Sequence, residues 1–97
     1  MQFKVDRDAA EAIALKALSF IARDEEIFTS FLQISGASPQ SLKDGLSDRF
    51  FLAGVMAFLL SQEPLLIEFC QFEKLDPFLP GRAHAILAGT DKDINFI

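Results

Sequence analysis

The 97-residue chain has no tryptophan and no tyrosine, and only one cysteine and one histidine. Each shortage closes a route. Every aromatic ring belongs to one of eleven phenylalanines, apolar throughout, with no polar handle for a wet surface. A lone Cys70 makes no internal disulfide, which points to a reducing compartment. Basic residues are short as well: nine Lys and Arg against fourteen Asp and Glu leave a net charge of −5. Such a chain repels phosphates, so neither nucleic acid nor an anionic membrane surface is expected as a partner. The N-terminal "MQFKVDRDAAEA" lacks a basic start, an apolar stretch and a small-residue cleavage site, and no signal peptide is expected. Period-two alternation is missing beyond "FKV", as are Asn-Gly and Asp-Gly, so no hairpin is expected.

A membrane-spanning run is lacking too, with one near approach. "RFFLAGVMAFLL" (residues 49–60) holds eleven uncharged, apolar residues after its arginine. At helical rise they reach about 16 Å, roughly half of a bilayer's hydrocarbon core. Ser61, Gln62, Glu63 and Pro64 then end the segment. The run reads as the buried central helix of a small domain, because a helix apolar all round needs neighbours.

What is present is helical punctuation. Asp8 with Glu11 reads as a capping box. Behind it Ile13, Ala14, Ala17, Leu18 and Ile21 recur at helical spacing over a helix at about 9–22. Asp24, Glu25 and Glu26 suit the start of a second helix, about 25–35, with Ile27, Phe28, Phe31, Leu32 and Ile34 as its apolar side. Gly36 stops it. Ser38-Pro39 opens a short helix at about 39–45, with Pro at the first position, where its missing N–H costs nothing. Asp48 opens the apolar helix, about 48–60; Gly54 inside it implies close approach by a neighbour. Ser61 caps a fifth helix at about 62–74, with Leu65, Leu66, Phe69, Cys70 and Phe72 inward. Asp76-Pro77 repeats the Ser-Pro device, and Pro80 starts a last helix at about 80–88. In the tail "TDKDINFI", Phe96 and Ile97 either dock on the body or fray, and about 90–97 is a candidate flexible segment.

Shifting the chain by 38 residues pairs Phe20 with Phe58, Glu25 with Glu63, Phe31 with Phe69, Gln33 with Gln71 and Pro39 with Pro77. These are five identities in the 26 pairs of 14–39 against 52–77. The reading is two degenerate three-helix repeats that bury their apolar faces on each other. Two repeats are too few for a solenoid, so an all-α compact bundle of five or six helices in a single domain, 1–97, is expected.

The runs "AIALKALSFIARDEE", "FLQISG" and "FLAGVMAFLLSQEPLLIEFC", with the "LDP" that follows, resemble the bacterial, mainly alphaproteobacterial, domain-of-unknown-function family 3572. The similarity covers about residues 9–80. It implies a helical fold and a bacterial cytoplasmic home. It implies no activity and carries over no functional residue. The segment from Pro80 onward departs from the alanine-rich ending typical of the family.

Chemistry is sparse. Metal binding needs several ligands at coordinating spacing, and Cys70 and His84 stand alone; a packed thiol and an ordinary helix-surface imidazole are the plain readings. Nothing flanking either residue suggests a nucleophile and base. Asp24, Glu25 and Glu26 are explained by capping, and the glycines are too dispersed to cradle a phosphate. "SPQSLKDGL" drawn as a recognition helix offers Lys43 and Gln40 but also Asp44. Ser41 lacks the preceding Asp of an acyl carrier's modified serine. No catalytic, cofactor or metal residue is expected. The apolar excess is what remains. Phe50 and Phe51 diverge by about 100° and cannot share one core centre. Phe78 and Leu79 sit between prolines in an exposed-looking place. Phe51, Phe78 and Leu79 are therefore the candidate partner contacts. The function expected is a non-enzymatic protein-interaction module, binding itself as a homodimer or another protein. The alternative is a small-ligand carrier or enzyme with a pocket between the repeats.

Overall fold

The computed structural model describes residues 5–90. Among the described residues six helices follow one another: α1 (Arg7–Ala22), α2 (Glu25–Ser35), α3 (Pro39–Gly45), α4 (Arg49–Leu60), α5 (Glu63–Glu73) and α6 (Phe78–Ala88). No strand occurs among the described residues. The expected all-α bundle forms, and the reading of the tail lies outside the described residues. No single described helix is long and apolar enough to cross a membrane; α4 and α5 meet at 109°.

The most extensive contacts join α1, α4 and α6, and α2, α3 and α5 pack around them. Ala10, Ala14 and Ala17 of α1 are fully buried. Their small side chains let the neighbouring helices lie close, while Ile21, Leu52, Met56, Leu59 and Leu87 fill the space between. No polar or charged residue is buried among the described residues. Phe31 and Phe69 are the largest fully buried side chains. Phe69 meets Phe20 edge-on at 5.5 Å between ring centres, and Phe31 meets Phe58 in the same way at 5.5 Å.

Local chemistry explains the boundaries, and several depart from expectation. Asp6, not Asp8, caps α1, accepting a hydrogen bond from Ala9 N at 2.8 Å. Either aspartate of "DRD" has the right chemistry, and the earlier one gains an additional half-turn. Glu11 is then free to pair with Arg7, at 3.3 Å. Asp24 caps α2 through the N–H groups of Glu26 and Ile27, and Ser38 with Ser41 forms a reciprocal box on α3. Ser61 does not cap α5: its hydroxyl donates back to Phe58 O at 2.7 Å, and Gln62 occupies the N-cap without a side-chain bond. α6 starts at Phe78, two residues before Pro80. A proline in a first turn removes only an N–H that has no helical partner, and Asp76 Oδ1 accepts from Phe78 N at 2.9 Å.

Phe72, expected inward, is 56% exposed, with the Arg23 guanidinium 4.5 Å from its ring centre. α4 is also not buried all round, which creates the site described next.

Candidate functional site

Positions 50, 54, 57 and 61 recur at helical spacing along one side of α4. They carry Phe50, Gly54, Ala57 and Ser61, and all four are exposed. Leu52, Val55, Met56 and Leu59 go to the core, and beyond Phe50 this side carries only small side chains. Gly54 is not a point of close helix approach: a Cβ built on it meets nothing within 4 Å.

Across from this side stands the C-terminal half of α2. Ile34, expected in the core, is 70% exposed, and Phe50 is 66% exposed. Together they flank an apolar groove of about 450 Å³. Its base is formed by Phe31, Phe51, Gly54, Ala57 and Phe58. Phe51 is half-buried, its ring 6.0 Å from that of Phe31 and pressed against Gly45 of α3, where a Cβ would come within 2.8 Å. Among the described residues, the only polar side chains lining the groove are Ser35 and Ser61. Both hydroxyls are engaged locally: Ser35 Oγ accepts from Ala37 N at 3.2 Å, and Ser61 Oγ donates to Phe58 O. The groove can take apolar surface and offers no acid–base pair.

The positions on α1 and α5 that the 38-residue shift pairs with the groove carry different side chains. Phe72 takes the place of Ile34, and Lys16 and Arg23 take the places of Gly54 and Ser61. Arg23 lies over the Phe72 ring at 4.5 Å. Lys16 reaches Glu73 at 3.9 Å. Long cationic side chains thus stand beside Phe72 at the paired positions. Glycine and serine leave the α2–α4 cleft open.

The three expected contact residues are not brought together. Phe51 is in the groove; Phe78, 81% exposed, and half-buried Leu79 lie at the start of α6 and are not among the groove's lining. Cys70 is buried on α5, where desolvation, and then the charge of Asp76, push its thiol pKa up. His84 is half-buried on α6. No group of three or more His, Cys, Asp or Glu is placed to hold a metal among the described residues.

Arg49 stands beside the groove-lining Phe50. Its guanidinium is 5.0 Å from the Phe50 ring centre, its Nε is buried with no hydrogen-bond partner among the described residues, and a Cβ at Gly89, where α6 ends, would lie 2.9 Å from its Nη2.

A family model described as "Protein of unknown function (DUF3572)" matches residues 7–90. No curated protein and no solved structure matches the chain.

Proposed function

From the chain's membership of domain-of-unknown-function family 3572, which supplies no activity, we propose that the domain is a non-enzymatic docking module whose α2–α4 groove receives the apolar face of a helix from a partner protein. One observation carries the reading. Gly54 and Ser61 leave the α2–α4 groove open, with Ile34 and Phe50 exposed at its sides, whereas Arg23 lies over the ring of Phe72 at the positions 38 residues away. A helix laid in an apolar groove is a recurrent mode of recognition, and small residues in the base let its backbone come close. Phe51 is part of that base. Phe78 and Leu79 form a second, separable contact at the start of α6. The reading includes a bacterial cytoplasmic setting; the single, buried thiol supports the reducing compartment, and the bacterial origin follows only from the family resemblance.

A small-ligand carrier is the weaker reading, because both hydroxyls in the groove are already bonded to the backbone and orient nothing. The test uses Gly54→Leu, which fills the groove from a position with open space around it, so the helix is kept. A partner captured by the wild-type chain is lost more than tenfold with Gly54→Leu, and a synthetic peptide of the partner's docking helix shows the same loss. Retention of every captured protein by Gly54→Leu overturns the reading. Phe78→Asp, read separately, reports on the second contact.

A further inference from the structure

The groove continues beyond its apolar lining. Ile34 and Phe58 also line a second depression, of about 510 Å³, that runs on to the first turns of α5. Three exposed carboxylates, Asp24, Glu26 and Glu68, line this extension, with Ser30 and Gln62 as its other polar side chains. Among the described residues no lysine or arginine lines it. Arg23 stands next to it, but its guanidinium lies over the Phe72 ring and makes no ion pair with Asp24 or Glu68 among the described residues. The Asp24 charge is partly offset by the N-terminus of α2, which it caps. Glu68 lies midway along α5 and has no such offset. The net charge of −5 adds a field of the same sign. From Phe50 to Phe58 the groove rises about 12 Å, about two helical turns. A helix laid along it thus passes from phenylalanine to carboxylate within its own length.

We propose that the partner helix is basic at one end, with about two turns of apolar face in the α2–α4 groove and Lys or Arg in the next turn over Asp24, Glu26 and Glu68. The inference rests on the docking reading above and names the chemistry of the partner. Apolar contact supplies the affinity. The carboxylates steer the approach, set which way round the helix lies and turn acidic helices away. Exposed ion pairs are individually weak, so the three carboxylates show as selectivity and salt dependence more than as strength.

Synthetic helical peptides of about sixteen residues test it. They share a two-turn leucine face and differ only in the turn beside it, Lys in one form and Glu in the other. Each form is made with the charged turn at either end, because the helix can lie in either direction. They are titrated calorimetrically into the full chain, and the Ile34 and Ala57 methyl resonances locate the contact. In one direction the Lys form is expected to bind more than tenfold tighter than its Glu form. It should weaken several-fold as salt rises from about 0.05 to about 0.5 M. Glu26→Gln with Glu68→Gln, which leaves the Asp24 cap in place, is expected to remove most of that preference. If the two forms bind alike and Gly54→Leu abolishes both, the charge inference falls and the docking groove stands. If neither form binds, or binding ignores Gly54→Leu, both fall. A chain that pairs with its own copy through the groove, and is parted by Gly54→Leu, also overturns the basic partner, because the occupant is then a second acidic chain.

Discussion

Phe20 and Phe69 meet edge-on, their ring centres 5.5 Å apart. The residues 38 places from them, Phe58 and Phe31, meet edge-on at the same distance. An aromatic ring from the first half thus sits on one from the second half, twice, with the roles exchanged. The two halves share these contacts, and neither ring pair exists within one half alone.

Truncating either buried member is expected to cost alike. Phe31→Ala and Phe69→Ala each remove a fully buried ring and lower stability by about 3–5 kcal/mol, a typical loss for such a cavity. Urea unfolding checks it. If the halves are coupled as one cooperative unit, both variants shift the midpoint with little change in slope. A biphasic curve, with one half melting first, would contradict the coupling.

A second matched pair closes two helices. Gly36 ends α2 with φ of 74°, and Lys74, 38 residues on, ends α5 with φ of 56°. The left-handed region suits glycine; a side chain there costs about 1–2 kcal/mol, partly offset by the greater freedom of an unfolded glycine. Lys74→Gly is therefore expected to stabilise the domain by about 0.5–1 kcal/mol, and Gly36→Ala to destabilise it by about 1 kcal/mol. Thermal melts of the two variants should move in opposite directions.

Cys70 predicts a pH effect. Burial, and then Asp76, raise its pKa in the folded state. The native chain therefore holds the thiol proton more tightly than the unfolded chain does. Its contribution to stability is fully present below the unfolded thiol value and is lost as pH rises through the folded value. Denaturant melts across the alkaline range should show declining stability, and Cys70→Ala should flatten that decline. Thiol-reactive reagents should label the native chain more slowly than the unfolded chain.

Much of the fold was legible. Asp24, Ser38-Pro39, Gly36 and Gly89 are chemically specific signals, and each helix boundary they mark fell within a residue or so. Where two residues offered the same chemistry, as Asp6 and Asp8 do, sequence alone did not choose between them. Pro80 misled because proline forbids only the helix interior, not the first turn. The groove was harder. α4 carries no polar side chain between Phe50 and Leu60, so hydropathy could not say which side faces outward. Size gave a partial signal: Gly54 and Ala57 lie on the exposed side, but so does Phe50, and Ala53 is in the core. Ile34 has the hydropathy of a core residue, and only the geometry of α2 reveals it to be exposed. Adjacent Phe50 and Phe51 diverge: the Phe51 ring is turned toward Gly45 of α3 and Phe31, and Phe50 is the one left to solvent.

The groove's rings are all phenylalanine: Phe31, Phe50, Phe51 and Phe58, in a chain with no tryptophan or tyrosine. The domain is therefore nearly dark in the near-ultraviolet. An indole carried in by a partner's helix would be the sole strong fluorophore of the complex. Its emission would shift to the blue as water is shed, so native, unlabelled protein reports its own occupancy.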